Sequence, residues 1–127
     1  YRQALTLVEN QRGPGAAESA HVHHNLGVLL GQLGRQRNQP ELTRTGLGHL
    51  ESACRIAPEE IKFLVSLSGV RQENEQSDLA ITELTDFLDR QPDSATGWRT
   101  LGNLLEATGR DAEARRAFIA AEQLGPQ

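Results

Sequence analysis

Four histidines, one cysteine and a scatter of carboxylates are the residues of this 127-residue chain that could do chemistry. His21, His23 and His24 form the densest set of potential metal ligands. On a helix His21 and His24 stand three apart and could approach one ion, but each step turns the chain by about 100°, so His23 points elsewhere. No Cys or acidic pair stands nearby at ligand spacing, and His49 belongs to another segment, so no metal site is expected. Asp86 with Asp89 and Glu73 with Glu75 read as solvated helix faces, because acid–base chemistry needs a cleft and a shifted pKa. Gly46 and Gly48 make a Gly-x-Gly without the preceding strand that a phosphate-binding turn requires. Cys54 has no partner for an internal disulfide, and its place on an apolar helix face predicts a buried thiol. Neither a nucleophile elbow nor a Walker motif is found, so no catalysis and no cofactor are expected.

The formal charge of −4 comes with no basic stripe, which argues against a protein that holds nucleic acid through its phosphates. No run of apolar residues is long enough for a membrane span, so none is expected. A chain that starts at Tyr1 and has no Met reads as a segment of a longer protein, and a cytoplasmic setting is the expectation for it. The elements that must position any site are clearest from Ala95 to Pro126. There Trp98, Leu101, Gly102 and Leu105, then Ala114, Phe118 and Ala121, step by three and four on either side of Gly109, the pattern of two amphipathic helices joined by a tight turn. Gly102 and Ala114 are small where those helices would cross, and Trp98, Leu105 and Phe118 fill the space around them.

This stretch resembles a tetratricopeptide repeat, whose Trp, Leu-Gly, Ala, Phe, Ala and Pro marks stand here in order and at the right spacing. The marks recur upstream at one constant interval, the length of such a repeat: Pro126 falls on Pro92 and Pro58, Phe118 on Leu84 and Leu50, and Ala114 on Ala80 and Gly46. One hairpin cannot bury its own apolar face, so neighbours of the same shape are needed. The resemblance implies a single all-α domain over residues 1–127: a right-handed superhelix, or α-solenoid, of antiparallel hairpins with about seven helices. Residues 1–15 would hold the second helix of an incomplete repeat plus a loop, and repeats would follow at 16–60, 61–94 and 95–127. An extra amphipathic helix often covers the last repeat in this family; none follows here, so the open end is expected to meet further chain or a partner.

Departures from the pattern carry their own expectations. His23 and Leu50 stand farther apart in sequence than Trp98 and Phe118, the positions they match. The excess of seven residues is close to two helical turns, so an earlier start at Pro40 is expected to lengthen the second helix alone. The spacing predicts a helix from about Pro40 to Ile56 after a polar loop at Arg35–Gln39, with Gly34 as the stop of the helix before it. An irregular inserted loop is the competing reading. In the next repeat Arg71 stands where a large apolar residue is usual and Phe87 where a small one is. Phe87 is expected to fill the space that Arg71 leaves, the arginine stem lying along the surface with its charge in water. Ser77 or a nearby polar residue is expected to cap the following helix, Asp93 or Ser94 the one after, and Gly125 to end the last.

In the resembling family the first helix of each pair lines a concave groove. Mapped onto this chain, the groove positions are His24, Val28 and Gly31; Val65, Gly69 and Gln72; and Arg99, Asn103 and Glu106, each trio on one helical face. The two valines and two glycines would make an apolar, open centre, with Arg99 and Asn103 giving polar contacts at one end. The chain lacks most of the Lys, Arg and Asn set with which some family members hold a chaperone's terminal carboxylate. The expected function is a scaffold that receives a protein partner, as a peptide or helix, in that groove. Two alternatives stand beside it: self-assembly into a homo-oligomer through incomplete terminal repeats, and a regulatory or substrate-recruiting arm of a larger enzyme.

Overall fold

The structure, a computed structural model, describes residues 15–125. Those residues are all-helical, with six helices and no strand: α1 (Ala16–Gln36), α2 (Pro40–Ile56), α3 (Ile61–Glu73), α4 (Ser77–Arg90), α5 (Ala95–Ala107) and α6 (Asp111–Gln123). The seventh expected helix, at Tyr1–Gln11, lies outside the described residues. None of the six is long and apolar enough to cross a membrane. The chain divides into two compact units, one ending at Val70 and one beginning at Arg71, so the division falls inside α3.

In the first unit α1 and α2 form a hairpin whose crossing is built on glycine. A Cβ on Gly46 would stand 2.8 Å from the Gly27 carbonyl oxygen and 3.0 Å from the Gly31 nitrogen, and one on Gly27 would collide with Leu50. Backbone therefore lies on backbone, and the apolar side chains close around the line of contact. Gly34 belongs to the same line, packed against Thr43, and α1 runs past it to Gln36. The expectation that Gly34 stops the helix is thus corrected. The turn is made instead at Asn38, with φ 52°, and the Gln39 N–H donates to the Gly34 carbonyl at 2.8 Å. Pro40 then opens α2 at a position where no N–H is needed, as expected. The extra length is shared: His23 lies farther from the turn at Asn38 than Trp98 does from the turn at Gly109, so both helices of this hairpin are lengthened by about a turn. At the base of the unit Ala20, Ala53 and Phe63 form a core cluster, with Cys54, Ile56 and Ala57 packed against it. Cys54 is half-buried at its edge, not buried within it.

The second unit repeats the turn twice. Glu75 at φ 62° is followed by a Gln76 N–H donating to Arg71, and Gly109 at φ 80° by an Arg110 N–H donating to Leu105, both at 2.8 Å. Ser94 caps α5 by accepting the Gly97 N–H at 3.1 Å, and the Trp98 indole N–H donates to the Pro92 carbonyl at 2.8 Å. Leu101, Leu104 and Leu105 of α5 are buried with Ala114, Ala117 and Ala121 of α6, and the Phe118 ring lies so close over Gly102 that a Cβ there would be 2.7 Å from it.

Arg71 departs from expectation. It is 4% exposed, and Phe87 is buried too, so no exchange of space sends the charge into water. Its Nε and Nη2 donate to the two carboxylate oxygens of Glu83 at 2.6 and 3.0 Å, and Nη1 donates to Gln76 Oε1 at 3.1 Å. A forked pair of charge-assisted bonds makes burial of a guanidinium tolerable. The same contact explains the missing cap: Ser77 is the first residue of α4, and the N-cap residue Gln76 spends its side-chain oxygen on Arg71.

Two outcomes follow. Gly46→Ala should destabilise the chain by about 1–3 kcal/mol through the forced separation of two backbones, whereas Gly48→Ala, with nothing within 4 Å, should stabilise it by up to ~1 kcal/mol. Urea unfolding of both variants checks the pair. Glu83→Gln should destabilise by about 3 kcal/mol because it leaves the guanidinium uncompensated, while replacing Arg71 and Glu83 together by Met and Leu should restore most of that loss; equal damage from the single and the double change would contradict it.

Candidate functional site

Five of the expected groove residues, His24, Val28, Gly31, Val65 and Gly69, lie in the first unit. Val28 and Val65 are half-buried on α1 and α3, and His24 is half-buried with its Nε2 2.7 Å from Ser66 Oγ, one of the two donating. His24 also leans on the Phe63 ring, centroids 5.1 Å apart, and His21 meets the same ring edge-on at 5.3 Å. Lys62 Nζ stands 5.5 Å from that ring's centroid. The two imidazoles thus contact one aromatic ring, and His24 has its Nε2 engaged with a hydroxyl. His23 turns into the hairpin and pairs with His49: their Nδ1 atoms are 2.9 Å apart, so one ring holds the proton and donates to the other. The sequence places His23 on the packing face but sets His49 aside. The position of His49 beside Leu50, which matches Phe118, is the signal that could have joined them. Among the described residues no group of three or more His, Cys, Asp or Glu side chains is placed to hold a metal ion.

The two glycines expected to open the groove differ. Gly69 is exposed, with nothing within 4 Å of a Cβ, but Gly31 is buried against Val70, whose Cγ2 would be 3.3 Å from a Cβ. Gly31 is a helix-packing residue.

The other expected residues lie in the second unit. Gln72 is exposed in the last turn of α3. Arg99, Asn103 and Glu106 are all exposed along one side of α5, at steps of four and three. None of these three side chains makes a hydrogen bond or ion pair among the described residues. Arg99 also borders a pocket of about 380 Å³ on the α5–α6 hairpin, lined with Phe118, Ala121, Glu122 and Gly125. The sequence pattern puts Phe118 and Ala121 in the packing and gives Glu122 no role.

One titration bears on the first unit. Burial is the main cause that holds the His24 ring below its ordinary value of 6.5; the Lys62 charge adds to it, a hydrogen bond with Asn25 works the other way, and His21 contributes least. No family model matches the chain, and a search of curated proteins finds no significant match.

Because the folded chain resists protonation of His24 more than the unfolded chain does, this group's contribution to stability is whole above about pH 6.5 and is lost as the pH falls through that value toward the lower folded one. Urea midpoints measured between about pH 7 and pH 5 should therefore drop more steeply for the wild type than for His24→Gln. Parallel profiles would contradict the assignment.

Proposed function

We propose that the chain is a protein-interaction module of tetratricopeptide type, without catalysis of its own, whose hairpins stack as a right-handed superhelix and receive a peptide or helix along their first helices. The observation that carries this reading is the row of Arg99, Asn103 and Glu106: three polar side chains on one face of α5, exposed and without an internal partner among the described residues. Polar groups at fixed spacing on a rigid helix suit the recognition of a partner's backbone and charged side chains. Support for the repeat class comes from the turns. Asn38, Glu75 and Gly109 each take a positive φ, and each is followed by an N–H that donates to the carbonyl five residues back. Three turns closed in one way, with sequence marks that recur at a constant interval, fit repetition of a single unit.

Peptides selected from a displayed random library against the wild-type chain test this. Arg99→Ala with Asn103→Ala should weaken them about tenfold or more, on the order of 1.4 kcal/mol, with the unfolding midpoint unchanged because both side chains are exposed. Failure to select any peptide, or selected peptides indifferent to the double substitution, would reject the proposal.

A further inference from the structure

Two helices of the first unit bring three basic side chains to one aromatic ring. The ring is that of Phe63, buried and fixed in the core cluster with Ala20 and Ala53. From α1, His21 meets its edge with centroids 5.3 Å apart and His24 leans on it at 5.1 Å, while Lys62 of α3 holds its Nζ 5.5 Å from the same centroid. Ser66, one turn beyond Lys62 on α3, adds a hydroxyl 2.7 Å from His24 Nε2. After burial, what opposes protonation of His24 is the Lys62 charge and, more weakly, that of His21. Neither Lys62 nor His21 makes a hydrogen bond or ion pair among the described residues. Like charges gathered on neighbouring helix positions destabilise one another, so an anion that met them together would relieve the repulsion.

We propose that His21, His24, Lys62 and Ser66 form a seat for the phosphoryl group of a phosphorylated peptide. This rests on the interaction reading above and names the partner's chemistry at the first unit. A phosphate monoester brings a charge of about −1.5 to −2 at neutral pH and three acceptor oxygens. A carboxylate offers a single charge and a pair of oxygens, which leaves part of the cluster unmatched. A peptide, and not a free phosphate ion, is indicated by what adjoins the cluster. The helices α1 and α3 run side by side from the His24–Ser66 contact to that of Gly31 with Val70. Along that line Val28 stands one turn beyond His24, and Val65 and Gly69 flank Ser66 on α3. The two valines are half-buried, and Gly69 is exposed with nothing within 4 Å of a Cβ. An apolar strip beside a cationic seat suits a phosphorylated residue followed by an apolar one. A seated dianion also favours the imidazolium form of His24, so binding takes up a proton. Affinity therefore rises as the pH falls from about 8 toward about 6, where the phosphate itself begins to gain a proton.

The probe is the synthetic peptide acetyl-Gly-phosphoserine-Val-Gly-amide, added to the intact chain, with versions that carry Ser or Glu in place of phosphoserine. Saturable binding is expected near neutral pH, with NMR shifts centred on the His21 and His24 rings and the Ser66 amide. The phosphorylated peptide should bind about tenfold or more tighter than the Ser version and about fivefold tighter than the Glu version. Lys62→Gln should weaken it about fivefold or more, with the unfolding midpoint unchanged because Lys62 is exposed. Raising the pH to about 8 should weaken binding more for the wild type than for His24→Gln. No saturable binding at millimolar peptide, equal binding of the Glu version, indifference to Lys62→Gln, or shifts centred on another part of the chain would each overturn the inference. Inorganic phosphate that binds as tightly as the peptide would overturn the choice of a peptide. Peptides selected for the α5 row that still depend on Arg99 and Asn103 would leave the interaction reading standing if this seat fails.

Discussion

Close approach of paired helices over small residues is the constraint on which the other features rest. At Gly27 and Gly46 there is no room for a single methyl between two backbones, and at Gly102 the space a side chain would take belongs to the Phe118 ring. Helices of 13 to 21 residues with modest apolar content are marginal alone. Pressed together at this distance, they gain enough contact to hold a fixed register, and the turns at Asn38, Glu75 and Gly109 can then be short. The crossing also decides what is left over. Side chains at the contact are used up by it, whereas those a third of a turn away, such as Arg99 and Asn103, are held on a rigid helix and remain open to another chain.

Polar groups inside the hairpins serve a different end. The His23–His49 pair and the Arg71–Glu83 fork are both placed where an apolar pair could have packed. Such groups add little net stability, but each is satisfied in only one arrangement of its two helices, so they penalise slippage. In the first unit the imidazole pair spans α1 and α2 near the glycine crossing. In the second, Arg71 fastens the end of α3 to α4 across the turn at Glu75 and also holds Gln76. A sliding hairpin would bury a charge or an N–H without a partner.

How far the sequence can be read depends on which contacts periodicity encodes. The last hairpin is plain because Trp98, Gly102, Ala114 and Phe118 alternate large and small at helical spacing. The start of α2 is plain because Pro40 has one comfortable place in a helix. Gly34 misleads because a glycine serves equally as a helix stop and as a close crossing, and only the backbone angle and burial tell them apart. Arg71 and Glu83 are 12 residues apart and His23 and His49 are 26 apart, so their pairing follows from how helices meet and not from the pattern along either one. Of the candidate site, the exposure of Arg99, Asn103 and Glu106 follows from helix geometry alone. The burial of Gly31 under Val70 and the pocket floored by Phe118 and Ala121 needed three dimensions.

Proton–proton contacts in solution test the crossing most directly. In a nuclear Overhauser spectrum the Gly46 α-protons should show strong contacts to the Gly31 amide and the Leu30 β-protons, and the Gly102 α-protons to the Phe118 ring. A chain that is helical by circular dichroism but shows neither set would contradict the account, because its helices would then be meeting on other faces.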